Sequence, residues 1–190
     1  MVAAIDTFPA LSGDERVRVF RRAFTEMEEY SGMTVDAYAV ISERYVVICD
    51  TLLSPTDMQA VMEWVSDALL AGRQLLIVNS HADWDHCWGN SYFMESAPII
   101  AHQLCQVRMR SEEARRELTD FQDHYYALFD DVELTPPTLT FTDSLTISGG
   151  DLTLELFSAP GHSVDSIAVW IPELRLLLAF DAVEFPLPLI

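Results

Sequence analysis

Residues 74–90, QLLIVNSHADWDHCWGN, place a dense polar cluster directly after a short apolar run. An uninterrupted apolar run of this kind is typical of a parallel strand that is buried on both faces. Four potential metal ligands follow it within six residues, namely His81, Asp83, Asp85 and His86. Loops at the carboxyl ends of parallel strands form the crevices in which α/β proteins bind ligands. The segment therefore predicts a metal site, and the alternative is a polar loop whose carboxylates cap the next helix.

Three further positions repeat this placement at the ends of other predicted strands. Asp50 ends the apolar segment YVVICD, His162 follows a Pro-Gly turn in SAPGHS, and Asp181 follows the very apolar segment Leu174–Phe180. Each residue taken alone is an ordinary strand-end or turn residue. Their order along the chain, together with the cluster at 81–86, is more informative than any one of them.

That order resembles the metallo-β-lactamase superfamily: an Asp at a strand end, then H-x-[HED]-x-D-H, then P-G-H-S, then F-D. The resemblance covers residues 38–181 and implies an α/β fold of the αββα sandwich type, with metals at one edge of the sandwich. It also implies a role for each of the seven residues. One metal would be held by His81, Asp83 and His162, a second by Asp85 and His86, with Asp181 bridging the two and Asp50 lying beneath the site as a structural aspartate.

Two features depart from the family pattern. The usual second histidine of the motif is Asp83 here, which resembles the iron-binding flavodiiron branch, where a glutamate stands at this place. An added carboxylate favours iron or manganese relative to zinc. The family's further histidine after the Asp181 position and its closing strands and helix are not found in this sequence. We therefore expect a sandwich that is incomplete at its C-terminus. Three explanations are open: the chain is a fragment of a longer protein, its second metal site is incomplete, or another subunit completes that site.

The composition indicates an acidic chain with enough apolar residues to bury a core. With 11 Lys and Arg against 30 Asp and Glu, the formal net charge is −19, which disfavours nucleic acid and anionic membranes as partners. Three cysteines without C-x-x-C spacing argue against a disulfide framework and for a reducing compartment. The first residues lack the pattern of a signal peptide, and no apolar run approaches the roughly 20 residues of a membrane span. We expect one cytoplasmic domain over residues 1–190.

The remaining segments predict strands and helices in a layered α/β arrangement. Arg16–Phe24 is predicted as a strand, with a helix as the alternative because Phe20, Ala23 and Phe24 also suit a helical stripe. Ala37–Ser42 and Tyr45–Asp50 are predicted as a hairpin, Pro55–Ala71 as a helix, and Gln103–Asp131 as one or two outer helices. Short strands are predicted at Pro98–Ala101, Thr138–Phe141, Ser144–Ile147, Leu152–Ser158, Ile167–Ile171 and Leu174–Phe180.

Together these residues predict a metal-dependent hydrolase. One or two divalent transition metals, zinc first and iron or manganese as alternatives, would lower the pKa of a water molecule and polarise the oxygen of a small ester, thioester, lactone or similar substrate. Asp85 would orient that water or accept its proton. The alternatives are an iron-dependent oxidoreductase of flavodiiron type and a non-catalytic binding module with the same fold. The sequence does not identify the residues that bind the small-molecule substrate.

Aromatic, cysteine and histidine residues in and beyond the motif have either a functional or a structural interpretation. Trp84 and Trp88 either wall a substrate pocket or pack the motif loop onto the core, and packing is the preferred interpretation. Cys87 is interpreted as a small buried hydrophobe, and His102 and His124 as structural or exposed histidines. An incomplete sandwich leaves apolar strand surface open, so we also expect a homo-oligomer, with the apolar tail at 185–190 as a possible partner contact.

Overall fold

The computed structural model describes residues 5–10, 12–94 and 96–183 of the 190-residue chain. Within these ranges the chain forms two β-sheets packed face to face, with helices over the outer face of the larger sheet. The predicted layered α/β class is confirmed.

The larger sheet is an antiparallel meander that continues into parallel strands. Its strands, in spatial as well as chain order, are β1 (Ile5–Pro9), β2 (Val17–Ala23), β3 (Thr34–Ile41), β4 (Tyr45–Cys49), β5 (Gln74–Val78), β6 (Ile99–His102) and β7 (Leu139–Phe141). Strands β1 to β4 pair antiparallel, whereas β4 to β7 pair parallel. The carboxyl ends of β4, β5 and β6 therefore lie at one edge of the sheet, where the polar cluster follows β5.

The smaller sheet and the helices complete the layers. The smaller sheet has the order β11-β10-β9-β8, with β8 (Ser144–Ser148), β9 (Thr153–Ser158), β10 (Ile167–Ile171) and β11 (Leu176–Leu178). The helices are α1 (Met58–Leu70), α2 (Trp84–Cys87), α3 (Gln103–Met109), α4 (Glu112–His124) and α5 (Tyr126–Phe129). Short 3-10 turns lie at Glu28–Tyr30, Trp88–Phe93, Pro172–Leu174 and Phe180–Val183.

Strand β4 shows why apolar runs specify buried strands in this chain. Val46 and Ile48 face the helices, while Val47 and Cys49 face the smaller sheet, and all four are fully buried. Burying one such aliphatic side chain contributes about 1.5–3 kcal/mol to the free energy of folding. Because both faces of β4 are covered, every residue from 46 to 49 is apolar rather than every second one.

The local predictions agree with the structure in most places and fail at element ends. The strand at 16–24 and the β3–β4 hairpin are confirmed, as are the parallel strands β5 and β6. The predicted helix at Pro55–Ala71 begins only at Met58, because residues 54–57 form a turn in which the Asp57 N–H donates to the Ser54 carbonyl at 3.1 Å. The segment Gln103–Asp131 forms α3, α4 and α5 rather than one or two helices.

Two strands differ more from expectation. The predicted strand Leu174–Phe180 shortens to β11, because Pro172–Leu174 forms a 3-10 turn and Arg175 adopts a left-handed φ of 51°. Strand β1 was not predicted, since its residues are mostly exposed and show no apolar alternation.

Candidate metal centre

The candidate metal ligands come together at the edge where the strands of both sheets end. His81 and Asp83 follow β5, and His86 lies on the short helix α2. From the smaller sheet, His162 lies between β9 and β10, and Asp181 follows β11. The two sheets are joined here by the Ile167 N–H, which donates to the Ser80 carbonyl at 3.0 Å.

Five of these side chains form two groups that share His81. The first contains His81, Asp83 and His162, and the second contains His81, His86 and Asp181. Within each group the potential ligand atoms all lie within 4.8 Å of one another. Asp83 Oδ2 lies 3.4 Å from His81 Nε2 and 3.2 Å from His162 Nε2. Ligand atoms around a tetrahedral cation with bonds of about 2.0–2.1 Å are separated by about 3.3 Å, so both of these distances match the spacing around such an ion.

Asp181 lies between the two groups. Its Oδ2 is 3.2 Å from His86 Nε2, 3.7 Å from His162 Nε2 and 3.9 Å from His81 Nε2. One carboxylate oxygen thus faces all three imidazoles. This is the position that a bridging ligand between two cations would occupy.

Hydrogen bonds place a ring proton on Nδ1 of His81, so that Nε2 carries the lone pair of the neutral ring. Ser80 Oγ donates its single proton to Asp50 Oδ2 at 2.7 Å and also lies 2.8 Å from His81 Nδ1. The hydroxyl can therefore only accept from His81, which places the imidazole proton on Nδ1. His81 Nε2 is buried and has no hydrogen-bond partner among the described residues, and the residue is only 1% exposed. A buried nitrogen left unpaired beside two carboxylates fits a metal ligand.

Asp50 orients His86 directly. Its Oδ2 lies 2.8 Å from His86 Nδ1, and its Oδ1 accepts from the Ser80 N–H at 2.7 Å. The carboxylate is fully buried, and the residue has a left-handed φ of 64°. Asp50 therefore holds His86 with Nε2 toward Asp181 and, through Ser80, also fixes His81. Carboxylates behind ligating histidines are a recurring feature of metal sites.

The electrostatics around His86 favour a positive charge. Burial lowers the pKa of His86, but the nearby carboxylates of Asp85, Asp50 and Asp181 outweigh it and hold the pKa well above its usual value. Burial likewise opposes ionisation of Asp83, yet attraction to His81 and Arg108 keeps the pKa of this carboxyl far below normal. The cluster thus remains anionic at neutral pH and attracts a cation.

Asp85 lies beside the second group without belonging to either trio. Its Oδ2 is 3.8 Å from His86 Nε2, and its side chain is 16% exposed. Burial raises the pKa of Asp85, and the negative charge of Asp181 adds to this effect. The structure therefore places His81, rather than Asp85, as the third member of the group around His86 and Asp181.

Arg108 is a site residue that the sequence analysis missed. From α3 its Nη2 contacts Asp83 Oδ1 at 2.7 Å, and its Nη1 contacts the fully buried Asp165. The segment around Arg108 carries no motif, and the partners lie 25 and 57 residues away. The lack of a second histidine at position 83 is the one signal that could have prompted a search for a compensating cation.

The sequence of this chain matches a known protein family over most of its length. The family model for the metallo-beta-lactamase superfamily matches residues 31–187. The chain belongs to the metallo-beta-lactamase superfamily. Members of this superfamily are generally metal-dependent hydrolases that bind one or two divalent metals, often zinc.

Individual members of the superfamily are distant relatives of this chain. Metallo-beta-lactamase type 2 of Bacteroides fragilis is 24% identical over 157 residues, which is 82% of this chain and 55% of the relative. The chain thus spans about half the length of that relative. A metallo-beta-lactamase from Pontibacter korlensis superimposes with a TM-score of 0.66 at 17% identity, covering 92% of this chain and 70% of that one. One from Hirschia baltica gives 0.61 at 16% identity, covering 87% and 66%. At these identities the solved structures show a shared fold.

Other residues of the segment that follows β5 hold this segment against the core of the protein. Trp84 and Trp88 pack into the aromatic core, with ring centroids 4.8 and 5.2 Å from that of Phe121. This favours the packing interpretation, and Cys87 is buried as expected. Asn90, at the end of the loop, accepts hydrogen bonds at 3.0 Å from Asn79 and Thr51.

The two remaining histidines of the described chain lie outside both trios. His102 caps α3 by accepting from the Leu104 N–H, and its Nε2 bonds to the Thr142 carbonyl at 2.8 Å. His124 Nδ1 bonds to the Asp120 carbonyl at 2.7 Å. These hydrogen bonds give both histidines a structural role outside the candidate metal centre.

A cavity of about 750 Å³ opens beside the centre in this metallo-beta-lactamase fold. It is lined on one side by Asp83 and on the other by residues of α3 and α4, among them Arg108, Glu117 and Phe121. Sites for small molecules have volumes of about 300–1,000 Å³.

None of the helices in the described part of the chain is long and apolar enough to span a membrane.

Proposed function

We propose that this protein is a metal-dependent hydrolase of small molecules. The observation that carries the proposal is the convergence of His81, Asp83, His86, His162 and Asp181, whose ligand atoms form two groups sharing His81. The orphaned Nε2 of His81 supports a cation at this point. A divalent metal bound here would supply a Lewis acid that polarises the substrate and acidifies water.

The chain's own residues would divide the remaining tasks. His81, Asp83 and His162 would hold one cation, and His86 with Asp181 would hold a second. Asp85 would accept a proton at its carboxylate, which lies within 3.8 Å of His86 Nε2 and whose pKa is raised by burial toward a value suited to a base. Asp50 would keep both imidazoles in the tautomer that ligation requires.

The proposed substrate is a small ester, thioester, lactone or lactam. The cavity beside Asp83 has the volume of a small-molecule site, and the net charge of −19 disfavours a nucleic acid or an anionic membrane as substrate. The lactam is included because the relatives that the chain resembles are named metallo-beta-lactamases. We propose zinc as the resident metal, with iron or manganese as alternatives.

The surface of the smaller sheet and the cysteines bear on the partners and the location of the protein. On the outer face of the smaller sheet, Phe157 and Leu177 are 38% and 47% exposed, which supports our proposal of a homo-oligomer. The apolar tail at 185–190 lies outside the described residues. We propose a cytoplasmic location because Cys49, Cys87 and Cys105 are all free, as in proteins of a reducing compartment.

Metal analysis and a hydrolysis screen test the function. The purified chain is loaded with zinc, manganese or iron, its metal content is measured, and turnover is followed on ester, thioester, lactone and β-lactam substrates. We expect bound metal and turnover that falls at least 100-fold in Asp85→Asn, because an amide cannot accept the proton. Asp67→Asn, an exposed change on α1, is the matched control. A wild-type protein that binds no metal, or that turns over none of these substrates, would contradict the proposal, and turnover that survives in Asp85→Asn would refute the role of Asp85 as the base.

The same samples separate the other two functions. An iron-dependent oxidoreductase is favoured only by the carboxylate at Asp83, and an iron-loaded protein unchanged by reduction or by oxygen would exclude it. A non-catalytic module would bind metal and show no turnover on any substrate class.

A further inference from the structure

Asp83 divides its two oxygens between the candidate metal centre and an arginine. Its Oδ2 faces His81 Nε2 at 3.4 Å and His162 Nε2 at 3.2 Å. Its Oδ1 accepts from Arg108 Nη2 at 2.7 Å. A carboxylate held on one oxygen by a guanidinium can rotate little about its last torsion, so its other oxygen stays aimed at the imidazoles.

The same guanidinium reaches the segment that carries His162. Its other arm, Nη1, contacts Asp165 Oδ1, and Asp165 is fully buried. Ser163 Oγ also donates to Asp165 Oδ1 at 2.9 Å, next to His162 in the chain. Arg108 therefore spans two ligand-bearing segments from a third element, α3. The planar fork of an arginine can hold two carboxylates in this way, whereas lysine offers a single point charge.

The contact between Arg108 and Asp83 changes the net charge around the group formed by His81, Asp83 and His162. Two neutral imidazoles and one carboxylate carry a net charge of minus one, which is one unit more negative than the three neutral histidines that the superfamily motif usually supplies. Arg108, which also pairs with Asp165, places a positive charge at Asp83 Oδ1 and offsets part of this difference. Uncompensated carboxylates favour hard cations such as manganese over zinc.

We propose that Arg108 is a positioning residue that compensates the charge of Asp83 and thereby keeps the centre selective for zinc over harder cations. This inference rests on the proposed metal centre and concerns the preference of that centre for zinc over manganese. It makes no use of turnover, so it is tested without a substrate.

Competition with a chromophoric chelator measures the dissociation constants of zinc and manganese for the full chain. In Arg108→Met we expect the ratio of the manganese constant to the zinc constant to fall at least tenfold, because Asp83 is left as a harder, uncompensated ligand. In Arg108→Lys, which keeps the positive charge, the ratio should stay within threefold of wild type. Arg110→Met, on an exposed arginine just after the same helix, is the control and should leave the ratio unchanged.

The Asp83→His background isolates the proposed interaction. With a histidine at position 83 there is no charge to compensate, so adding Arg108→Met should change the ratio by less than threefold. An unchanged ratio in the Arg108→Met single variant, or an equal change in both backgrounds, would overturn the inference. If Arg108→Met unfolds because Asp165 loses its partner, the variant is combined with Asp165→Asn, and the same criteria apply. Altered selectivity without turnover on any substrate would support this inference while refuting only the hydrolase.

Discussion

Replacing Asp50 by asparagine exchanges one buried oxygen for an NH2 group and should reverse the proton pattern of the metal centre. In the wild type, Asp50 Oδ1 accepts from the Ser80 N–H, and Oδ2 accepts from Ser80 Oγ and pairs with His86 Nδ1. The amide oxygen of asparagine must stay on the Ser80 N–H, because two N–H groups would otherwise face each other. The NH2 group then points at Ser80 Oγ and at His86 Nδ1.

This exchange propagates to both imidazoles. His86 Nδ1 must now accept, so the one proton that the ring retains lies on Nε2, on the side that faces Asp181. Ser80 Oγ accepts from the new NH2 group and donates to His81 Nδ1, so His81 Nε2 gains a proton as well. Neither Nε2 can then bind a metal without losing a proton that the surroundings favour.

The expected magnitudes follow from these contacts. Loss of a residue that orients a ligating histidine lowers metal affinity by about 10–100-fold, and since two histidines are affected we expect the upper end, about 2.8 kcal/mol. The free energy of unfolding of the metal-free chain should fall by about 1–3 kcal/mol from imperfect pairing of buried groups. Backbone strain adds little, because asparagine tolerates the left-handed φ of 64° at this position.

Zinc titration with a chelator and urea denaturation measure the two quantities. Asp36→Asn is the matched control, because it removes a half-buried carboxylate that lies on strand β3 and pairs with Arg21 at 2.7 Å. It should cost at most about 1 kcal/mol of stability with no loss of zinc affinity. A folded Asp50→Asn protein that binds zinc within threefold of wild type would refute the tautomer argument.

Three shorter predictions test the fold, its acid stability and metal binding. In Gly89→Ala the new Cβ would lie 1.9 Å from the Thr51 carbonyl oxygen, so urea denaturation should show a loss of about 3 kcal/mol or more, whereas Gly161→Ala, with open space around it, should change little. Hydrogen bonds from Arg16 lower the pKa of Asp14 to about 2, so this pair stabilises the fold above about pH 4 and loses its effect as the pH falls toward 2. Asp14→Asn should therefore cost at most about 1 kcal/mol at pH 7 and nothing near pH 2, and an equal cost at both would count against the pair. Zinc at 100 times its dissociation constant should raise the free energy of unfolding by about 2.7 kcal/mol, and a chelator should abolish that gain; identical melting curves would speak against a site in the folded state.

The parts of the fold that could be predicted are those that depend on short stretches of sequence. Residues 75–78 form an apolar run because both faces of strand β5 are covered there, and the β3–β4 hairpin follows from two adjacent runs rich in β-branched residues. The candidate ligands could be named because strand ends and turns carry them in a recognisable order. The edge strand Ile5–Pro9 could not, since an exposed edge imposes no apolar pattern on its residues.

Parts of the centre that depend on tertiary contacts lay beyond the sequence. Arg108 meets Asp83 and Asp165 only after α3 has packed beside the loops that hold them. Ser80 lies next to His81 in the chain, yet its role depends on Asp50, thirty residues earlier, reaching the same hydroxyl. Pairings of this kind have no period and no fixed spacing, so no local pattern signals them.

The hydrogen bond from the Ile167 N–H to the Ser80 carbonyl lies where the two sheets meet the candidate centre. His81 is rooted in one layer, while His162 and Asp181 are rooted in the other. Any sliding of the layers past each other would therefore change the coordination polyhedron directly. Substitutions in the apolar interior between the two sheets, far from any ligand, should therefore alter metal binding at the candidate centre, because they shift one sheet relative to the other by fractions of an ångström.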